Sequence, residues 1–171
     1  MINHGIKQLK LASSGEDFFQ VIPEPEMIIF TGIPASGKST FYEQNFAATH
    51  NRISLDILKT RFREDKMLME AVDSGKSCVI DNTNVSVSER KKYIDIAKEH
   101  GYKIIGYYFR SAIDECRIRN DQRQGKKKVP EIALRNKIAH LERPSKREGF
   151  DELYYVKIED NNFVISQFKE V

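Results

Sequence analysis

The sequence predicts an α/β domain in which helices cover both faces of a mainly parallel sheet. Two observations carry that prediction. Apolar runs of strand length alternate with helical stretches through most of the 171 residues, the pattern of a sheet built from strand–helix–strand units. One strand-to-helix junction holds Gly32-Ile33-Pro34-Ala35-Ser36-Gly37-Lys38-Ser39-Thr40, which fits Gly-x-x-x-x-Gly-Lys-Ser/Thr, the phosphate-binding loop. A chain of this length makes one well-buried domain rather than two. Its 40% hydrophobic and 31% charged residues are those of a soluble globular protein. The domain is expected over residues 27–171, behind an extension at 1–26.

The elements follow in order. The extension is polar apart from Phe18-Phe19-Gln20-Val21-Ile22, which Pro23-Glu24-Pro25 separates from the first core strand. Glu26–Thr31 reads as that strand, and Ser39–Phe46 as the helix behind the loop. Arg52-Ile53-Ser54-Leu55 is a short strand ending at Asp56. One helical stretch then runs from about Leu58 through Val72 and closes at Ser74-Gly75-Lys76. Cys78-Val79-Ile80 is a third strand, running into Asp81-Asn82-Thr83-Asn84. Ser86, three before Glu89, signals a capping box for a helix that reaches Glu99 and stops at His100-Gly101. Lys103–Phe109 is a fourth strand. Ala112–Gln124 and Pro130–Leu141 are helices around the basic loop Gly125-Lys126-Lys127-Lys128, together a lid at about 112–141. Leu153–Ile158 and Asn162–Phe168 complete the set as a hairpin.

The bulk properties narrow the setting. A formal charge of +3 permits a polyanionic partner without requiring one. Cys78 and Cys116 form no spacing motif and are expected as buried thiols. No apolar run approaches a membrane span, and the N-terminus lacks a signal-peptide core, so the expected location is cytoplasmic.

In open parallel sheets the ligand lies beyond the carboxyl ends of the strands. Glycines in the loop let backbone N–H groups turn around a β-phosphate at a helix N-terminus. Lys38 is placed to bridge the β- and γ-phosphates, and the Ser39 hydroxyl to hold Mg²⁺ (or Mn²⁺). ATP or another NTP is the expected ligand. Asp81 follows the third strand in the layout of a Walker B carboxylate that holds Mg²⁺ directly or through water, although an apolar strand ending in Asp is commonly a cap or turn. Asp56 fits an N-cap, and fits equally a carboxylate that accepts a hydrogen bond from an attacking hydroxyl. It is far too weak a base to deprotonate an alcohol beforehand. In a loose phosphoryl-transfer transition state orientation comes first and the proton leaves late. The Ala112–Gln124 helix carries Arg117, Arg119 and Arg123. Arg119 and Arg123, four apart, share one helical face, either a solvated basic face or a pair of forks for a polyphosphate.

Taken in order, these motifs resemble the kinase domain of the polynucleotide 5′-hydroxyl kinases, as in phage and animal end-healing enzymes. The resemblance runs from about Met27 to Phe150. It rests on Gly32–Thr40, on Asp56 at the place of the family's general base, and on Gly75-Lys76-Ser77-Cys78-Val79-Ile80-Asp81-Asn82-Thr83-Asn84 with Arg90 in the next helix. Arg119-Asn120-Asp121-Gln122-Arg123 with Val129-Pro130 is similar to the phage lid, and Glu148-Gly149-Phe150 to a shorter signature. The resemblance implies transfer of the γ-phosphate of ATP or another NTP to the 5′-hydroxyl end of RNA or DNA. It implies Asp56, Lys38 and Arg123 as catalytic residues. It gives Gly32, Ala35, Ser36, Gly37, Lys38, Ser39, Thr40, Arg119 and Arg123 to the nucleotide. Asp56, Lys59, Arg63, Asn84 and Arg90 would meet the acceptor, and Ser39 and Asp81 the metal.

The chain departs from the family in three places. Ser54-Leu55-Asp56 stands where Asn-Arg-Asp is frequent, which loses a cation beside the base. Lys59 occupies the place of an arginine that meets the acceptor phosphate in the phage enzyme, giving charge without a bidentate fork. Arg63, seven residues after Asp56 on the same face of the predicted helix, is the expected compensation. These residues also hold neither an Asp-x-Asp-Gly-Thr phosphatase motif nor a ligase lysine motif. Two other classes compete. One is a small-molecule kinase acting on a sugar, nucleotide sugar or antibiotic, against which the basic acceptor side argues. The other is an ATP-dependent switch or adaptor, which needs a positioned water rather than Asp56 and an arginine lid.

Overall fold

The computed structural model describes residues 7–9 and 20–169. Its centre is a six-stranded sheet in the order β4-β5-β3-β6-β7-β8. These are β3 (Glu26–Thr31), β4 (Asn51–Ile53), β5 (Cys78–Ile80), β6 (Lys103–Phe109), β7 (Glu152–Glu159) and β8 (Asn162–Gln167). All run parallel except β8, which returns antiparallel on β7. The β7–β8 turn has two residues, Asp160 and Asn161, at φ 48° and 61°. Positive φ at both positions is what a tight hairpin turn matching strand twist requires, and Asp and Asn tolerate it. Two short strands of the extension, β1 (Lys7–Leu9) and β2 (Gln20–Ile22), pair antiparallel as a separate sheet. Phe18 and Phe19 of the apolar cluster lie outside the described residues.

Strand β3 is apolar on both sides because both sides are covered. Met27 and Ile29 join Ile53, Leu68, Ile80, Tyr93 and Ile104 in one core layer, under α3 (Arg61–Asp73) and α4 (Val87–Glu99). Ile28 and Phe30 face the other way, against Phe41 and Tyr42 of α1 (Lys38–Asn45). This period-two split of an unbroken apolar run identifies a central parallel strand. Helix α4 begins as its capping signals predict: Ser86 Oγ accepts from the Glu89 N–H, and the Glu89 carboxyl group accepts from the Ser86 N–H. Both cysteines are buried and free.

Three expectations are corrected. The stretch after β4 is two helices, α2 (Leu55–Leu58) and α3, broken at Lys59 with φ 69°, where Thr60 caps α3. Asp56 therefore closes no strand and caps no helix. Ser54 holds the cap position, and Asp56 sits in the first turn of α2. The break also removes the shared helical face that was to link Arg63 to Asp56. In the lid, α5 (Ile113–Asp121) ends before Arg123. The buried Asn120 side chain both donates to and accepts from the backbone of Val129, at 2.8 and 2.9 Å. That closes residues 121–128 into a loop, so Arg119 lies on α5 and Arg123 lies off it. The lid's second helix, α6 (Glu131–Ala139), follows.

Candidate active site

Between β3 and α1 the chain turns sharply, and the sequence permits it at two glycines. Gly37 has φ 102°, and a Cβ there would lie 2.9 Å from Ile158 Cδ1 and 3.0 Å from Phe163 Cε1. A Cβ on Gly32 would lie 2.8 Å from Ser36 Oγ. Backbone contacts fix the loop from outside. Gly32 N–H donates to Thr83 O at 2.9 Å, and Ile33 N–H to Ser111 Oγ at 3.2 Å. Lys38 Nζ turns into the loop and donates to Gly32 O (2.9 Å), Ile33 O (2.8 Å) and Ser36 Oγ (3.3 Å). Burial lowers the Lys38 pKa to about 8, against the opposing pull of Asp81. Arg123 and Asp56 also act electrostatically on that ammonium, the first lowering its pKa and the second raising it.

Ser39 Oγ donates to Asp81 Oδ2 at 3.2 Å. Two hard oxygen donors side by side suit Mg²⁺, which takes one or two protein oxygens and completes its shell with phosphates and water. Among the described residues there is no group of three or more His, Cys, Asp or Glu that could hold a metal alone. The same Asp81 oxygen accepts from Arg52 Nε at 2.9 Å and Nη2 at 2.6 Å. Arg52 was not expected here: its place beside Asp81 follows from β4 lying next to β5, which a linear sequence does not display. On the lid side, Arg119 Nε donates to Ala35 O at 2.8 Å, which holds its guanidinium against the loop.

Asp56 is exposed at the rim, and its helix is fastened through Asn82. The Leu55 N–H donates to Asn82 Oδ1 at 2.9 Å, and Asn82 Nδ2 donates to Glu64 Oε1 and Tyr93 Oη. Glu64 is fully buried and also takes Tyr93 Oη (2.9 Å) and Arg61 Nη1 (2.8 Å). Burial, and then the Glu64 carboxyl group, push the Tyr93 hydroxyl well above its ordinary pKa, so it remains a donor. A signal for Glu64 was available in the sequence: Glu64, Leu68 and Ala71 share the buried stripe of α3, and a charged first member needs partners.

Two expected acceptor contacts lie elsewhere. Asn84 is buried, with φ 42°, and donates to Phe30 O at 2.8 Å. Arg90 is fully buried and forms a two-pronged pair with Glu148 at 2.7 and 2.9 Å. Its Nη1 donates to the carbonyls of Asn84, Val85 and Glu142. Both side chains are bonded inside the protein. Lys59 is exposed, its ammonium in contact with the Asp56 carbonyl, and Arg63 is exposed on α3.

Comparison with known proteins bears on the family and the fold. The family described as AAA domain matches residues 27–144. The chain is 35% identical over 143 residues to the bifunctional polynucleotide phosphatase/kinase of Schizosaccharomyces pombe, covering 81% of this chain and 35% of that protein. It is 32% identical over 136 residues to a putative bifunctional polynucleotide phosphatase/kinase of Acanthamoeba polyphaga mimivirus, covering 75% of this chain and 32% of that one. The chain thus spans about a third of the length of these relatives. A chain in the structure of the Pnkp1/Rnl/Hen1 RNA repair complex shares the fold, with a TM-score of 0.58 and 22% identity over 69% of this chain and 44% of that chain. No helix among the described residues is long and apolar enough to cross a membrane. A glycine-bounded loop around Lys38, the Ser39–Asp81 pair and the match over residues 27–144 lead to one conclusion: the chain belongs to the AAA domain family and carries its nucleotide-binding P-loop.

Proposed function

We propose that the protein transfers the γ-phosphate of ATP, or another NTP, to the 5′-hydroxyl end of an RNA or DNA strand. The observation that carries this is the loop geometry, with Lys38 Nζ held inside the P-loop and Ser39 Oγ on Asp81 at 3.2 Å, and Asp56 exposed in the first turn of α2. The two polynucleotide phosphatase/kinase relatives support the acceptor class. The P-loop N–H groups and Lys38 hold the β- and γ-phosphates, and Arg119 and Arg123 meet charge that shifts toward the leaving diphosphate. Ser39 and Asp81 would hold Mg²⁺, which would neutralise phosphate charge. Asp56 accepts a hydrogen bond from the 5′-hydroxyl, aligns its oxygen with the γ-phosphorus, and takes the proton as the new P–O bond forms and the bridging P–O bond breaks.

Labelled-phosphate transfer from each NTP to matched 5′-hydroxyl RNA and DNA oligonucleotides tests the reading. The wild-type protein is expected to label one or both, and Asp56→Ala to lose transfer while still binding nucleotide. Full activity in Asp56→Ala overturns the role of that carboxylate. Oligonucleotides that neither accept phosphate nor compete for ATP turnover would return the acceptor to a small-molecule alcohol. Hydrolysis without transfer to any alcohol would return the protein to the switch class.

A further inference from the structure

We infer that Phe62 is a stacking platform for a nucleobase of the acceptor strand. This rests on the 5′-hydroxyl reading above and adds a residue to it. Phe62 is 78% exposed, more than any other large apolar side chain among the described residues. It lies in the first turn of α3 but off the buried stripe of Glu64, Leu68, Ala71 and Val72, so the core makes no use of it. Its surroundings are cationic. Arg61 and Arg63 flank it, and Lys59 is three residues before. The adjacent acids are already engaged: Glu64 is buried with Asn82, Tyr93 and Arg61, and Asp65 pairs with Lys92. An exposed ring with cations on both sides and no free acid beside it is the surface that single-stranded nucleic acid binds, bases on the ring and phosphates on the cations.

The position relative to the chemistry is fixed by Asn82. That amide holds the backbone of Leu55, the residue before Asp56, and also Glu64, two residues after Phe62. The turn that carries Phe62 and the turn that carries Asp56 are therefore fastened to one side chain. Arg61 is anchored as well, its Nη1 bound by Glu64 (2.8 Å) and Tyr93 (3.2 Å), which orients a guanidinium for the strand's phosphates. A strand whose 5′-hydroxyl meets Asp56 can lay a base on Phe62.

The test is steady-state transfer from ATP to a single-stranded 5′-hydroxyl oligonucleotide by wild-type protein, Phe62→Ala and Phe62→Tyr. Phe62→Ala is expected to raise the KM for the oligonucleotide about 5- to 150-fold, the range of one base–aromatic stack. The KM for ATP and kcat at saturating oligonucleotide stay at wild-type values, and Phe62→Tyr restores the oligonucleotide KM. Oligonucleotides with one abasic residue, moved stepwise from the 5′ end, add the second measurement. At one position the missing base is expected to raise the wild-type KM and to have no further effect in Phe62→Ala. A wild-type oligonucleotide KM in Phe62→Ala overturns the inference. So does an abasic penalty equal in both proteins at every position, which would assign the ring to a protein contact. If the wild-type protein labels no oligonucleotide, the proposed function itself falls, and a result in the first lane of the assay separates that failure from the others.

Discussion

Lys38 pairs two demands that oppose each other, because a polyphosphate wants an ammonium and burial removes one. Its folded pKa, about 8, lies below the ordinary 10.5. Below pH 8 the folded chain carries the buried charge at a cost, and stability rises with pH between about 8 and 10.5, where the unfolded chain binds the extra proton. Nucleotide binding runs the other way, since phosphate oxygens favour the charged form. At pH 9, nucleotide binding is therefore expected to take up most of one proton, and at pH 7 almost none. Calorimetry in two buffers of different ionisation enthalpy measures this, and equal uptake at both pH values would refute it. Arg90 shows the opposite economy of a charge fully paired indoors. Arg90→Ala leaves the half-buried Glu148 carboxyl group with only the Ser145 N–H as donor among the described residues and is expected to cost about 3 kcal/mol of stability, read from urea unfolding. Near neutral pH its effect on the oligonucleotide KM should be absent once the protein is folded. Residue types at the site were legible from spacing, as Lys38, Ser39 and Asp81 attest. Partners were not: the sequence shows Arg90 as one more surface-type cation, and only the packing of Glu148 against α4 hides it.

At the scale of elements, the segment Asp81-Asn82-Thr83-Asn84 works as a junction of four different ties. Asp81 takes Ser39 and Arg52, Asn82 takes α2 and α3, Thr83 O takes the Gly32 N–H, and Asn84 reaches back to β3. Asn82→Ala is expected to loosen α2 and so lower kcat more than nucleotide affinity, since the P-loop ties remain. A kcat equal to wild type would show that Asp56 needs no such brace. The lid follows similar logic through Asn120, whose two bonds to Val129 shape the loop that holds Arg123. Asn120→Ala leaves backbone groups of Val129 unsatisfied, at about 1–3 kcal/mol, and is expected to lower kcat with little change in acceptor KM. Element identity was legible from periodicity, and α4 even from its capping pair. The α2–α3 break was not, because Lys59 is an ordinary helix former and its positive φ comes from the bonds that pull α2 toward Asn82 and cap α3 at Thr60. The end of α5 was hidden for the same reason, as bonds from the Asn120 side chain to backbone nine residues further on set it.

For the whole molecule, the sequence announced the α/β class but not the order of strands. Parallel strands carry no turn that names their neighbour, so β5 lying between β4 and β3, and Arg52 reaching Asp81, had to come from the assembled sheet. The exposed corner around Phe62 was likewise unremarkable in a list of residues, since its meaning lies in what the core leaves out. One contact described above reaches across the entire chain. Gly37 of the phosphate-binding loop rests on Ile158 of β7 and Phe163 of β8, and Phe163 also packs edge-on to Phe41 at 5.0 Å. The floor of the loop is thus supplied more than a hundred residues after the loop is written. On a ribosome, the loop leaves the exit tunnel long before its floor does, and the nascent chain has no finished nucleotide seat until β8 has emerged. Chains ending before Asn162 are expected to gain no thermal stabilisation from saturating nucleotide, while the 171-residue chain gains it.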